Sequence, residues 1–260
     1  MRSDRKVSGW DGSQQTLDAA ERWMTDGLRV ADAPGFLISE LVDMSRAATA
    51  IKQLRECGIK ATYTHVFVHA VAVALARNPQ LHQLVIGDKR YVPNRVDIGL
   101  SVSGSTVVAP VMVIEQADSK SLGEIAREVT ERAPLLRAEN ERMLTGIRHY
   151  GWLVPFGWLR RWIIHRLMKN IAFRHKSAGT FQVTCLKNVD QFAPLLLATG
   201  AILGTGRVCE RVVVVDGRPE VQLTVIITCC GDHKVWDGMR SALFIGVVKT
   251  ILETELLLAE

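Results

Sequence analysis

Val221-Gln-Leu-Thr-Val-Ile-Ile-Thr-Cys-Cys-Gly-Asp-His-Lys-Val-Trp-Asp-Gly238 begins as a mostly apolar, β-branched run and ends on polar residues and glycine. Such a run suits a strand buried inside a sheet. Gly231 is expected to end that strand, and residues 239–252 to form a closing helix. His233 then stands at a strand end, while Asp237-Gly238 opens the helix. An imidazole fixed between two rigid elements, yet reachable, can take a proton from a thiol or hydroxyl near neutral pH. The spacing also has plainer readings: Asp237 as the helix N-cap, and His233 as a structural histidine.

Outward from this stretch, Asp216-Gly217 signals a tight turn joining residues 212–215 to the core run. Residues 96–102 and 107–113 read as a hairpin, and residues 180–186 as a further strand. Gly204-Thr205-Gly206 lacks the lysine of a nucleotide loop and reads as a turn. Phe36-Leu37-Ile38, then Leu41-Val42, form a short strand after Pro34-Gly35. Residues 45–57 read as a helix stopped by Gly58. Residues 64–77 are apolar on nearly every side, the mark of a buried helix. Ser121 and Glu124 have capping-box spacing, and Ile125 and Val129 continue the helix to Pro134, its limit or a kink. A polar arm, residues 1–33, carries a helix over 16–28. Together these predict an α/β fold, a mixed sheet with helices packed on it.

The 260 residues are 48% hydrophobic and 23% charged, enough for one domain with a substantial core. No apolar run is long enough to span a bilayer, and the polar start shows no secretory leader. Five cysteines without ligand spacing fit a reducing cytoplasm. His65 and His69 stand four apart on a helix, but no third ligand accompanies them, so core histidines and no metal are expected. Cys185 and Cys230 fall near His233 in the pattern, yet nothing marks either as a nucleophile. The net charge of +5 suits a phosphate-bearing ligand, an anionic membrane or nucleic acid. Nucleic acid is not expected, since no zinc-finger or aromatic RNA-binding pattern is present.

Residues 144–171 are rich in Trp and Arg and are broken by Pro155 and Gly157, suggesting two short amphipathic helices. They could line an enlarged pocket, pack between subunits, or lie on a membrane; the first two readings are preferred.

Several segments carry a resemblance, in order: Pro34-Gly-Phe-Leu-Ile-Ser-Glu-Leu-Val-Asp43, Val96-Asp-Ile-Gly-Leu-Ser-Val102, Val107-Val-Ala-Pro-Val111, Lys120-Ser-Leu-Gly-Glu-Ile-Ala-Arg127, Gly179-Thr-Phe-Gln-Val-Thr184, Phe192-Ala-Pro194, Ala201-Ile-Leu-Gly-Thr-Gly-Arg207 and Asp232-His-Lys-Val-Trp-Asp-Gly238. They resemble the catalytic domain of the acyltransferase subunits of 2-oxo acid dehydrogenase complexes. That family shares its fold with chloramphenicol acetyltransferase.

The resemblance implies that residues 34–260 are the catalytic domain, with 144–171 as an insertion. It makes His233 the general base, Asp237 a residue that holds the loop and can support the imidazole, and Thr184 a donor to the tetrahedral oxyanion. On propensity alone, Thr184 is also an ordinary strand threonine. It further implies a coenzyme A thioester as substrate, with a small-molecule or carrier-bound acyl group. A homotrimer is implied too, with histidine and hydroxyl contributed by different copies. Leu256-Leu257-Leu258 resembles the family's apolar tail, although the last turn of a core-packed helix is the preferred reading.

The chain departs from the pattern in three places. No lipoyl or subunit-binding domain is expected before Pro34, so a lipoyl group would belong to another chain. Lys234 replaces the family's usual Arg. Cys185-Leu-Lys-Asn-Val-Asp190 is shorter than the family's glycine-containing turn, which suggests an altered substrate mouth. A stand-alone acyltransferase is thus the expected function. The alternatives are a lipoyl-dependent core subunit of a dehydrogenase complex, or a non-catalytic trimeric scaffold of the same fold.

Overall fold

The apolar run beginning at Val221 proves longer than its sequence suggested. In a computed structural model describing residues 18–30, 35–86, 89–103 and 109–256, strand β9 covers Arg218–Asp232. Gly231 lies within it rather than ending it: a Cβ there would stand 2.7 Å from the Phe36 ring and 2.9 Å from Trp236. The glycine serves close packing, not termination.

Strand β1 (Gly35–Asp43) pairs antiparallel with β9 along its whole length, one strand longer than the short one expected. On the other side of β9 lies β7 (Ala201–Thr205), antiparallel. Next come β6 (Phe181–Cys185), β4 (Ile98–Ser101) and β5 (Val111–Ile114). Strand β6 is parallel to both β7 and β4, so the sheet is mixed. Strand β8 (Cys209–Val215) returns on the far half of β9. Asp216 and Gly217, with φ of 48° and 79°, close that hairpin as the Asp-Gly signal indicates. A separate pair, β2 (Leu84–Ile86) and β3 (Lys89–Tyr91), lies apart from the sheet.

Gly204-Thr205 therefore belongs to a central strand, not to a turn. Pro194 and Phe192 press against Gly204, where a Cβ would be 2.9 Å and 3.2 Å from them. Glycine admits the covering loop here, which is why a strand residue looked like a turn residue.

Helices α2 (Ser45–Glu56), α3 (Tyr63–Arg77) and α7 (Gly238–Thr250) contribute to one core with the sheet. Val42, Val183, Leu203, Val225, Ile227 and Cys229 meet Phe67, Val71, Phe244 and Val248 there, and all are buried. Alternation along the strands sends the next residues, Thr184, Ile202, Thr228 and Cys230, to the opposite face. Leu37 and Leu41 of β1 are exposed. Leu256 is buried after a π-helical turn, Ile251–Glu255, as a core-packed end would be; residues 257–258 lie outside the described ones.

Helix α4 (Leu122–Tyr150) starts with the reciprocal Ser121–Glu124 capping box and runs straight past Pro134. Proline removes a hydrogen bond in mid-helix. From Thr130 onward this helix is largely exposed, so water can satisfy the freed carbonyl. A 3-10 turn, Gly151–Leu153, leads to α5 (Gly157–Met168) and α6 (Ile171–Ala178). The Trp/Arg stretch is thus the end of one long helix plus one short helix, rather than two short helices.

Helix α1 (Ala19–Val30) docks on this segment. Buried Arg160 reaches Asp26 at 2.7 Å and the carbonyl oxygens of Val154 and Pro155 at 3.1 and 2.9 Å. Asp97, fully buried at the start of β4, ties three elements together. It accepts from Arg95 Nε and the Gln116 amide, each at 2.8 Å, and is bonded to His175 of α6.

Candidate active site

His233 follows the last residue of β9 and is exposed. The reason lies in the next residues. Val235 and Trp236 turn inward and are buried, Trp236 against Phe181 and Phe244 at centroid distances of 6.0 and 5.0 Å. Buried Asp232 shapes the turn: its carboxylate accepts from the Lys234 amide at 3.0 Å, and its carbonyl from Val235 and Trp236, both at 2.9 Å. With the apolar side chains anchored, the imidazole is left facing outward. Phe36 meets it edge-on at 5.9 Å.

Asp237 is the N-cap of α7. Its carboxylate accepts from the Arg240 amide at 2.8 Å and lies 3.3 Å from the Arg240 guanidinium. The carboxylate is engaged with the helix rather than with the His233 ring, and it fixes where the loop ends.

Thr184 occupies the face of the sheet opposite the main core and is half-buried. Across the strands it is in register with Gly204, then Thr228, then Ser39. The last two hydroxyls are 3.0 Å apart, and Gln191 donates to Ser39 at 2.6 Å. A polar row thus crosses a face that the main core does not use. The turn after Thr184 is held by Asp190, which binds Arg207 at 2.6 Å and Arg211 at 2.8 Å. The Arg207 hydrogen bond, with help from Arg211, holds the Asp190 carboxyl below its usual range.

Within one chain, Thr184 and His233 are not brought together. Thr184 is two strands away from Thr228, and His233 lies five residues beyond Thr228 along β9. At strand spacings of about 4.8 Å and rises of about 3.3 Å, their backbones are on the order of 15–20 Å apart. Direct participation in one step requires approach to about 3 Å of the reacting atoms.

Other candidates resolve on their surroundings. His65 closes the capping box of α3, its Nδ1 accepting from the Thr62 amide at 3.2 Å, and burial pushes it down to about 4. Burial also lowers His69. His82, which sequence reasoning passed over, is buried and likewise pushed down to about 4. Burial raises the thiols of Cys185, Cys229 and Cys230, the opposite of what activates a nucleophile. Among the described residues, no group of three His, Cys, Asp or Glu side chains is placed to hold a metal. An open cleft of about 990 Å³ lies elsewhere, between α4, α6 and β5, with Leu135, Met143, Asp97 and His175 in its wall. No tryptophan of the Trp/Arg segment lines it, so the enlarged-pocket reading of that segment finds no support there.

The residues that sequence reasoning missed are the supports: Asp232, which shapes the turn, and Phe36 and Gly231, whose contact seats β1 under the imidazole. Only Gly231, a glycine inside an apolar run, carried a signal, and it had been read as a strand end.

A family model described as 2-oxoacid dehydrogenases acyltransferase (catalytic domain) matches residues 14–143 and 165–259. Among curated proteins, the lipoamide acyltransferase component of the branched-chain alpha-keto acid dehydrogenase complex of Bacillus subtilis is 29% identical, over 76% of this chain and 40% of its own. The dihydrolipoyllysine-residue succinyltransferase component of the 2-oxoglutarate dehydrogenase complex of Rickettsia typhi is 25% identical, over 82% and 48%. The chain thus spans less than half the length of these relatives. Among solved structures, a probable dihydrolipoamide acetyltransferase from Listeria monocytogenes superposes with a TM-score of 0.69 at 22% identity, covering 96% of this chain and 99% of that one. The truncated catalytic core of the 2-oxoacid dehydrogenase multienzyme complex from Thermoplasma acidophilum gives 0.70 at 21%, covering 94% and 99%. The mixed sheet, its helices and the strand-loop-helix that presents His233 are features of one known fold, and the chain belongs to the family of 2-oxoacid dehydrogenase acyltransferase catalytic domains.

Proposed function

We propose that the protein transfers an acyl group from a coenzyme A thioester to a thiol or hydroxyl acceptor, with His233 as general base. The observation that carries this reading is the placement of His233: exposed, aimed outward by buried Val235 and Trp236, at the junction of the longest strand and α7. In the proposed step the imidazole takes the acceptor's proton, and the freed sulfur or oxygen attacks the acyl carbon. The tetrahedral oxyanion receives a hydrogen bond from the Thr184 hydroxyl of a neighbouring copy. The carbon–sulfur bond then breaks, and the departing coenzyme A thiolate recovers the proton from the imidazolium. Asp237 keeps the loop in place by capping α7.

The separation of His233 and Thr184 within one chain supports a site completed between copies. Exposed Leu37 and Leu41 on β1, and Val212, Val214 and Val221 on the β8–β9 hairpin, supply apolar surface for such an assembly. A homotrimer is the proposed form. The cubic core of the pyruvate dehydrogenase multienzyme complex shares this fold, with a TM-score of 0.69 at 19% identity. The relatives' names favour a second choice of acceptor, a dihydrolipoyl thiol.

The test is formation of free coenzyme A and of the acylated acceptor from acetyl-coenzyme A, separated by chromatography, with the purified protein and with dihydrolipoamide and simple thiols or alcohols offered separately. Formation dependent on acceptor and lost in His233→Ala supports the reading. An active His233→Ala overturns it.

A further inference from the structure

Between Glu141 and Asp190 the chain has no Asp or Glu, yet nine Arg or Lys. The same stretch presents Trp152, Phe156, Trp158 and Trp162, each 59–69% exposed. Soluble proteins rarely leave large apolar side chains clustered in water without a use for them. The two matched stretches of the family model skip residues 144–164, which hold all four of these aromatic residues, so the aromatic part of this surface lies outside the stretches that the family model matches.

Helix α5 is arranged inside out. Its inward side carries Arg160 and Ile164, both buried, with Arg160 paired to Asp26 and bonded to two carbonyls. That buried pairing fixes the helix rotation and holds Trp158 and Trp162, four residues apart, toward solvent. By the same helical period, His165, Arg166 and Lys169 follow on this outward side, all exposed. Phe156 stacks beside Trp158 at 6.3 Å and extends the aromatic patch. The outward face is thus aromatic at one end and cationic at the other.

Those two features together match the bilayer interface. Indole rings settle at the headgroup level, and nearby cations are drawn to anionic lipids. An acidic protein partner would suit the cations but gives no particular reason for four such exposed aromatic rings. Among the described residues no helix is long and apolar enough to cross a membrane, so the contact is with the surface. We propose that residues 150–169 dock the protein on anionic lipid membranes, with Trp158 and Trp162 inserted at the interface and Arg166 and Lys169 facing the headgroups. The preference for a pocket or subunit-contact role drawn from sequence gives way here to surface binding.

Flotation of the full chain with vesicles of phosphatidylcholine, alone or mixed with phosphatidylglycerol, tests this. The protein floats with the anionic vesicles, less so as salt rises, and its tryptophan emission shifts to shorter wavelength. Trp158→Ser with Trp162→Ser weakens binding at least about tenfold. Arg166→Glu with Lys169→Glu weakens it by a similar factor or more, at roughly fivefold per lost cation. All four positions are exposed, and thermal melts of each variant check that folding is retained. Failure to float with anionic vesicles, or flotation unchanged in both double variants, overturns the proposal. So does a wild-type protein that stays off vesicles but loses an oligomeric state in the tryptophan variant, which would assign the face to a second copy.

Discussion

His233 is held in place by what its neighbours bury. Gly231 lets Phe36 and Trp236 each pack close against its backbone, and a methyl group there would stand 2.7 Å from one ring and 2.9 Å from the other. Gly231→Ala is therefore expected to cost about 1–3 kcal/mol of stability, as overpacking does, and to lower activity as well; urea unfolding and turnover read the two effects separately. Replacing His233 itself, which is exposed, should leave stability nearly unchanged while lowering turnover about 10²–10⁴-fold. If the Thr184 hydroxyl donates to the oxyanion as proposed, Thr184→Val lowers kcat by about 100-fold or more with a similar melting temperature, and Thr184→Ser restores most of it. Equal kcat for Thr184→Val and wild type would return Thr184 to a strand role. At this scale the sequence was legible for position: it placed His233 between a strand end and a helix start, and Asp237 at the helix N-cap. It was opaque for Asp232 and Phe36, whose contribution is a turn and a ring contact that exist only after β1 and β9 pair.

Among the elements, α1 and α5 are joined at Asp26, which binds Arg160 at 2.7 Å and Arg161 at 3.1 Å. Asp26 and Arg160 are both buried, and breaking a buried ion pair by removing one partner typically costs about 3–5 kcal/mol. Arg160→Ala is expected to lower stability by that order, and hydrogen exchange should show the protection of α1 and α5 falling first. Unchanged protection in those helices would show that the pair does not hold them. The long strand β9, helices α2 and α3 and the β8–β9 turn could be read from periodicity and from Asp-Gly, because those signals are local. The course of α4 past Pro134 and the strand character of Gly204-Thr205 could not, because solvent exposure in one case and a covering proline in the other overrode local preference. Strands β2 and β3 are three residues each, too short for alternation to register.

For the molecule as a whole, acid should act through buried histidines. His65 and His82 are held neutral by burial, each pushed down to about 4 from 6.5. Because the folded value is the lower one, the unfolded chain binds more protons between those limits, and stability falls as pH drops below 6.5 toward 4. Each group accounts for a loss on the order of 3 kcal/mol over that window. Urea unfolding at pH 7 and pH 5 should show this decline, and His82→Gln should reduce its slope. A slope identical to wild type would assign the acid sensitivity to other groups. The mixed sheet and its helix-packed core followed from the family resemblance and from the apolar runs, whereas the strand order and the distance between His233 and Thr184 required the strand register.

That distance makes the central claim testable by mixing two inactive proteins. His233→Ala and Thr184→Val chains, each of low activity, are unfolded and reassembled together in equal amounts. If each site joins the histidine of one copy to the hydroxyl of the next in a closed trimer, about one quarter of the sites regain both groups, and about one quarter of wild-type activity returns. A mixture no more active than its two components, under conditions that restore reassembled wild type, would contradict a site shared between copies.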